Sequence, residues 1–343
     1  MGVIHVISKY DHDNNTWKIP TNRERYRSLA MGHYIPIINN NSREINYVII
    51  AYGSRVEDNS RDSVNIKERS SHIANVINYF KNNSNSNYIV NFVMLDADAP
   101  LIEQSKQLAL YIDGLASDTD VKSINLLGQS KCGAMNMYIP RYFNNLRSFS
   151  ITNIYNVSTP YKGTLLASPL VFYPMVEDLC KSKLGDNAFA KSLYTNLIKL
   201  YESISSNSHM DYDIAQPGGI PMDRMDRYDE RFIQDIFCGE NLYALNHIKS
   251  FNNFTTKIDE QTKKRAIKTA DVVTIGLCLL DKWFFNQESD GLVKTADQIL
   301  IEEYLDVNSV NISSSHRVAV SPDFYKILDC ISKNVEKSSQ RIR

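Results

Sequence analysis

Apolar positions along this chain switch between two periods. At residues 45–52 (INYVIIAY) they fall on consecutive positions of a β-rich segment, the pattern of a strand covered on both faces. Residues 66–80 instead place Ile66, Ile73, Val76, Ile77 and Phe80 at helical spacing. The same alternation continues. Residues 88–95 (YIVNFVML) predict a second buried strand. Residues 101–115 predict a helix with Leu101, Ile102, Leu108, Ala109, Ile112 and Leu115 on one side. Residues 121–127 (VKSINLL) and 150–157 (SITNIYNV) predict a third and a fourth strand. Between these two, 135–143 carries a helical pattern that Pro140 must kink or end. Polar Asn/Ser-rich stretches at 39–42 and 82–87 read as surface loops.

Strands that alternate with helices imply a mostly parallel central sheet with helices on both faces, the α/β class. From 165 to 270 the alternation is lost. This segment holds a helical pattern at 188–204, Pro/Gly punctuation at 216–221 and a charged stretch at 223–231 that reads as a self-neutralising helix face. The expectation is a largely helical cap over one end of the sheet, inserted between core parts at 1–164 and 271–343. The strand pattern is expected to return at 271–280 and at 307–312. Ser321 or Asp323 then caps a last helix, with Pro322 in its first turn and Phe324, Ile327, Leu328 and Ile331 on one face.

Composition narrows the classes. Of 343 residues, 43% are hydrophobic and 22% charged, which excludes a disordered or fibrous chain. Lys+Arg is 38 and Asp+Glu is 39, a net charge of −1, so there is no bulk attraction to nucleic acid. The five cysteines (Cys132, Cys180, Cys238, Cys278 and Cys330) are odd in number and form no CxxC pair, which argues against a disulfide framework and for a reducing compartment. The first residues turn polar too soon for a signal peptide. Gly2 opens a myristoylation-like start, but Val6 stands where Ser or Thr is needed. Apolar runs such as 272–280 are too short to cross a bilayer. The expected location is the cytoplasm, with signal-independent secretion and transient contact with a membrane surface left open. The oligomeric state is not readable.

The chemistry concentrates at 124–134 (INLLGQSKCGA), where an apolar strand runs through Gly128-Gln129-Ser130-Lys131-Cys132-Gly133 into a helical pattern. A serine at the apex of such a strand–turn–helix junction projects its hydroxyl into a cleft, and Gly two residues earlier lets strand and helix approach. Three further stretches follow in order. They are Ser158-Thr159-Pro160-Tyr161-Lys162-Gly163-Thr164 after the next strand, Glu288-Ser289-Asp290-Gly291-Leu292-Val293, and Ser313-Ser314-Ser315-His316 before the final helix. Taken singly, each also reads as an ordinary turn or surface residue.

Together these stretches resemble the α/β-hydrolase superfamily, and within it the lipase-like serine hydrolases. The resemblance spans roughly 45–164 and 271–328. It implies a catalytic triad of Ser130 as nucleophile, His316 as general base and Asp290 as the residue that orients it. Asp281 lacks the following Gly and is the weaker candidate for the acid, and Asp297 reads as a helix residue. The oxyanion donors implied are the backbone N–H groups of Lys131 and Ser54. Tyr52, Gly53, Thr159, Pro160 and Tyr161 are implied as substrate-binding residues. The chain departs from the family at two positions: Cys132 stands for the last Gly of G-x-S-x-G, and Tyr52 for a His before Gly53.

The activity implied is hydrolysis of a carboxylic ester, of a lipid above all, through an acyl-Ser130 intermediate and with no metal or organic cofactor. The partner implied is a small-molecule ester or lipid. Acyl transfer or thioester hydrolysis on the same triad, and a catalytically inactive binding protein, stay open. Lys131 and Arg55 are expected to flank the cleft, either contacting an anionic group such as a phosphate or paired with carboxylates and water. The stretch from His209 through Met210, Asp211 and Tyr212 to Asp213 reads as a polar loop before it reads as a metal site. The aromatic group Trp283, Phe284 and Phe285 reads as pocket lining or core.

Overall fold

A computed structural model describes residues 10–11, 16–17, 31–41, 44–52, 63–95, 101–116, 121–140, 151–164, 169–204, 244–245, 248–284, 287–299 and 305–340. Its centre is a seven-stranded sheet formed by β1 (Met31–Ile37), β2 (Ile45–Tyr52), β3 (Tyr88–Met94), β4 (Val121–Gln129), β5 (Asn153–Val157), β6 (Ser250–Lys257) and β7 (Val307–Ser313). Their spatial order is β1-β3-β2-β4-β5-β6-β7. β1 pairs antiparallel with β3 at one edge, and every other pairing is parallel. The edge position suits Pro36, which has no N–H to give a second neighbour.

Helices cover both faces, as the consecutive apolar runs require. On one face α2 (Leu101–Ala116) and α3 (Lys131–Asn136) pack over Tyr47, Ile49, Leu126 and Ile154. On the other, α1 (Ser63–Asn83) and the C-terminal helix pack over Val48, Ile50, Val90 and Leu127. Successive residues of β2 thus enter opposite cores, the period of two that a doubly covered strand imposes. In chain order the remaining helices are α4 (Pro169–Leu184), α5 (Ala188–Ile204), α6 (Glu260–Lys268), α7 (Val272–Phe284) and α8 (Phe324–Gln340). This is the α/β-hydrolase fold.

One sequence expectation is overturned. Residues 271–280 are not a strand: Asp271 precedes α7 and the rest belong to it. The Asp271 side chain accepts the Thr274 N–H at 3.1 Å and the Thr274 hydroxyl at 2.8 Å, which starts a helix. Thr274, Leu277 and Leu280 are buried at a spacing of three. The strand that returns the chain to the sheet is β6, which lies inside the segment expected to be cap. Its sequence SFNNFTTK looks polar, yet Asn252, Asn253, Thr255 and Thr256 are all buried. Their polar atoms are paired: Asn252 Nδ2 with Ser250 Oγ at 2.7 Å, Asn253 Nδ2 with the Gln298 carbonyl at 2.8 Å. Phe251 and Phe254 enter the cores on the two faces, and these bonds offset the cost of burying the polar residues between them. Edge strand β1 also lies outside the span of the resemblance.

Helices α4 and α5 do form within the expected insertion, and they pack with α7 through Val176, Cys180, Leu197, Leu277 and Leu280. The charged stretch at 223–231, the Pro/Gly stretch at 216–221 and the segment from His209 to Asp213 lie outside the described residues. Among the described residues, no helix is long and apolar enough to cross a membrane.

Candidate active site

The carboxyl ends of the parallel strands gather the residues singled out above. Ser130 follows β4 directly, Thr159 follows β5 by two residues, and His316 follows β7 by three. Such an edge is where open α/β sheets bind ligands.

Ser130 has φ 56° and ψ −129°, a conformation that L residues rarely adopt. Two bonds hold it there: its N–H donates to the Val157 carbonyl at 2.8 Å, and its carbonyl accepts the Gly133 N–H at 2.9 Å. The hydroxyl makes no bond to cap α3, although Ser130 is the N-cap residue. Close packing explains both glycines. A Cβ on Gly128 would lie 2.5 Å from the Cys132 backbone, and one on Gly133 would lie 1.8 Å from Thr159 Oγ1. The close approach to the neighbouring loop is thus made at 133, and Cys132 turns into the core beside it, 4% exposed.

Asp290 sits in a tight loop between α7 and the short 3-10 turn Thr295–Gln298. Gly291 has φ 97°, and a side chain there would strike Leu277, so glycine is required after Asp290. The loop is fixed to the end of β6 by the Ile258 N–H on the Ser289 carbonyl at 2.7 Å. Asp290 is fully buried, and a buried carboxylate must find donors. Its Oδ1 accepts the Leu292 and Val293 N–H groups at 3.0 and 2.9 Å. Its Oδ2 accepts the Thr256 hydroxyl at 2.8 Å and Gln298 Nε2 at 3.2 Å, and it lies 2.8 Å from His316 Nδ1.

His316 is 6% exposed. Its backbone N–H donates to the Asp290 carbonyl at 2.9 Å, so the two residues are joined by main chain and side chain alike. Facing a carboxylate, Nδ1 carries the proton, which leaves Nε2 as the basic nitrogen. The Gln129 side chain donates to the His316 carbonyl, which brings the residue before Ser130 against the residue that pairs with Asp290. Asp281 instead accepts the Ser289 hydroxyl. Burial pushes its carboxyl up, and the nearby charge of Asp290 adds to this.

Other expected site residues fall differently. Lys131 opens α3 and is 1% exposed, so of the alternatives the sequence left open for it a solvated side chain is excluded. Thr159, Pro160 and Tyr161 are all buried, and the Tyr161 hydroxyl sits between Asn156 Nδ2 at 2.8 Å and Asn253 Oδ1 at 3.3 Å. That hydroxyl is spent inside the molecule, and burial raises its pKa. Tyr52 ends β2, while Gly53, Ser54 and Arg55 lie outside the described residues. Sequence reasoning missed Thr256 and Gln298. Both stand in stretches without a motif, and the pairing of β6 in the sheet is what brings them to Asp290.

The order of the strands and the helices on both faces are those of the α/β-hydrolase fold. Among solved structures, the chain is similar to the mature lipase BlEst2 of Bacillus licheniformis, with 12% identity, 86% of this chain and 97% of that chain covered, and a TM-score of 0.49. It is also similar to Est1E from Butyrivibrio proteoclasticus, at 11% identity over 90% of this chain and 94% of that one, with a TM-score of 0.41. A lipase-esterase related protein from Clostridium acetobutylicum is similar at 10% identity, over 90% and 99%, with a TM-score of 0.40. No protein-family model matches the sequence, and no curated protein matches it.

Proposed function

We propose that this chain is a serine hydrolase that cleaves a carboxylic ester, a lipid ester in particular, through an acyl-Ser130 intermediate. The observation that carries the reading is the 2.8 Å pairing of His316 Nδ1 with a buried Asp290, beside a strained serine elbow. A hydroxyl is a weak nucleophile at neutral pH, so a base must take its proton as it attacks the acyl carbonyl. His316 Nε2 takes that proton and then delivers it to the leaving alcohol. Asp290 keeps the ring in the tautomer that leaves Nε2 basic, and it stabilises the imidazolium. Water then attacks the acyl-enzyme by the same proton transfers in reverse, releasing the acid and restoring Ser130.

The oxyanion takes the backbone N–H of Lys131, at the first residue of α3, with Ser54 as second donor. One such donor is worth about 3 kcal/mol of barrier. The resemblance assigns Tyr52, Gly53, Thr159 and Pro160 to substrate binding. Helices α4 and α5 act as a cap that admits the acyl chain. The lipid preference rests on the resemblance of the Thr159-Pro160 and Asp290-Gly291 loops. No metal or organic cofactor takes part in this scheme.

Intact mass after treatment with a fluorophosphonate tests the reading. One adduct is expected on the wild-type protein and none on Ser130→Ala. Asp290→Asn and His316→Ala should each slow labelling by about 10²- to 10⁴-fold. No adduct on the folded wild-type protein would favour a binding protein, and unchanged rates in the Asp290 and His316 variants would overturn the triad. An acyltransferase would label equally but favour an added alcohol over water in turnover.

A further inference from the structure

Asp290 is held by more than its own loop. Three donors converge on Oδ2, the oxygen that faces His316: the imidazole, the Thr256 hydroxyl at 2.8 Å and Gln298 Nε2 at 3.2 Å. Thr256 is fully buried near the end of β6, and its Oγ1 lies 2.6 Å from Ser158 Oγ. Ser158 follows β5 and has φ 51°, a second strained serine at the same edge. Gln298 is also fully buried. Its Oε1 accepts the Thr256 N–H at 2.7 Å and lies 3.0 Å from the Thr256 hydroxyl, a longer reach than the carboxylate's 2.8 Å, while its Nε2 reaches the Thr256 and Val293 carbonyls at 3.1 Å.

A threonine hydroxyl has one proton to give. The carboxylate is the strongest acceptor within its reach, so the proton points to Asp290, and Ser158 donates to Thr256 from behind. The bonds form a directed chain, Ser158 to Thr256 to Asp290, in which each donor polarises the next.

We propose that Thr256, with Ser158 behind it and Gln298 beside it, is a positioning residue that fixes Asp290 Oδ2 on His316 and tempers the pull of that carboxylate on the imidazolium. The inference rests on the Ser130–His316–Asp290 reading. A carboxylate that loses a hydroxyl donor while staying buried becomes more basic and draws a proton onto its partner more strongly. Without the Thr256 hydroxyl, His316 therefore keeps its proton to higher pH and serves as a base only there.

Other charged groups near this centre are left in place by a change at Thr256. They are Asp281 behind Ser289, Lys257 paired with Glu288 at 2.7 Å, Arg317 paired with Asp271 at 3.1 Å, and Lys131 beside Ser130.

The test is the second-order rate of fluorophosphonate labelling at Ser130 between pH 5 and pH 9. It compares the wild-type chain with Thr256→Val, Thr256→Ser and Ser158→Ala, each checked for a cooperative thermal melt. Thr256→Val should move the midpoint of the acidic limb up by about half a unit to one unit. Labelling below both midpoints then falls about 3- to 10-fold, while the high-pH plateau stays close to wild type. Thr256→Ser should restore the wild-type midpoint, and Ser158→Ala should give a smaller shift in the same direction. A folded Thr256→Val with an unmoved midpoint, or with the same loss at every pH, overturns the inference and leaves the triad standing. If Thr256→Val does not melt cooperatively, an unmoved midpoint in Ser158→Ala overturns it instead. Wild-type protein that takes no label at Ser130 would overturn the underlying reading itself.

Discussion

Cys132 departs from the family pattern and nevertheless fits its surroundings. Two residues after the elbow serine the resemblance calls for a glycine, because another backbone must come close. In this chain that approach is at Gly133, where an added Cβ would be 1.8 Å from Thr159 Oγ1. Cys132 is then free to fill the core over the sheet. Replacing it with Gly removes a buried side chain and adds a second glycine to a helix of six residues. The expected cost is about 1–2 kcal/mol, read as a melting temperature lower by a few degrees. Fluorophosphonate labelling of folded Cys132→Gly should stay within a few-fold of wild type. A folded protein that no longer labels would put Cys132 inside the site. The elbow was legible because its residues are adjacent in sequence. The donors around Asp290 were not, because Thr256 and Gln298 carry no signature until β6 and the 3-10 turn are folded together.

At the level of elements, the strands covered by helices on both faces could be read from their apolar runs, and β2 matches residues 45–52 end to end. The helix α5 is likewise where its spacing put it. The reading failed where burial and hydrophobicity part company. α7 is apolar on several sides because helix α5 and the Asp290 loop both cover it, so its periodicity was hidden. β6 lies between two strands and sets only Phe251 and Phe254 among Asn and Thr residues whose side chains are bonded inside.

A second buried polar group has a consequence for the joint between α1 and α8. His72 on α1 is 4% exposed, stacks edge-on against Phe324 at 4.7 Å between ring centres, and contacts the Ala319 carbonyl at 3.0 Å. Burial holds its imidazole down at about 4, against 6.5 for the free side chain. Above 6.5 the ring is neutral whether folded or not, and the shift has no effect on stability. As pH falls from 6.5 towards 4 the unfolded chain takes up a proton that the fold refuses, so stability declines and then levels off. The full loss is on the order of 3 kcal/mol. Urea melts of wild type and His72→Asn should therefore converge in slope between pH 7 and 8 and diverge below 6, with the flatter pH dependence in the variant. Equal dependence in both would assign the acid lability to other groups.

Across the whole molecule, helices α4 and α5 and the loop that carries Asp290 share one small core. Val176 and Cys180 from α4 and Leu197 from α5 pack with Leu277 and Leu280 of α7 and with Leu292 and Val293, whose N–H groups hold Asp290. The entry to the insertion is tied to the same loop: the Thr164 hydroxyl donates to the Leu292 carbonyl, and the Lys162 N–H donates to the Asp297 carbonyl at 3.3 Å. A disturbance in α4 or α5 is therefore expected to reach the carboxylate through this packing. Leu197 is 1% exposed, and Leu197→Ala leaves a cavity that costs about 2–5 kcal/mol, most of it local to this cluster. Hydrogen exchange should rise in α4 and α5 and also at Leu292 and Val293, while the amides of β2 and β4 in the centre of the sheet keep their protection. Labelling at Ser130 should fall in step with the exposure of that loop, because a frayed loop lets Asp290 leave His316. If exchange rises in the helices but not at 292–293, the insertion is a passive cover, and the geometry of Asp290 depends on β6 and the sheet alone.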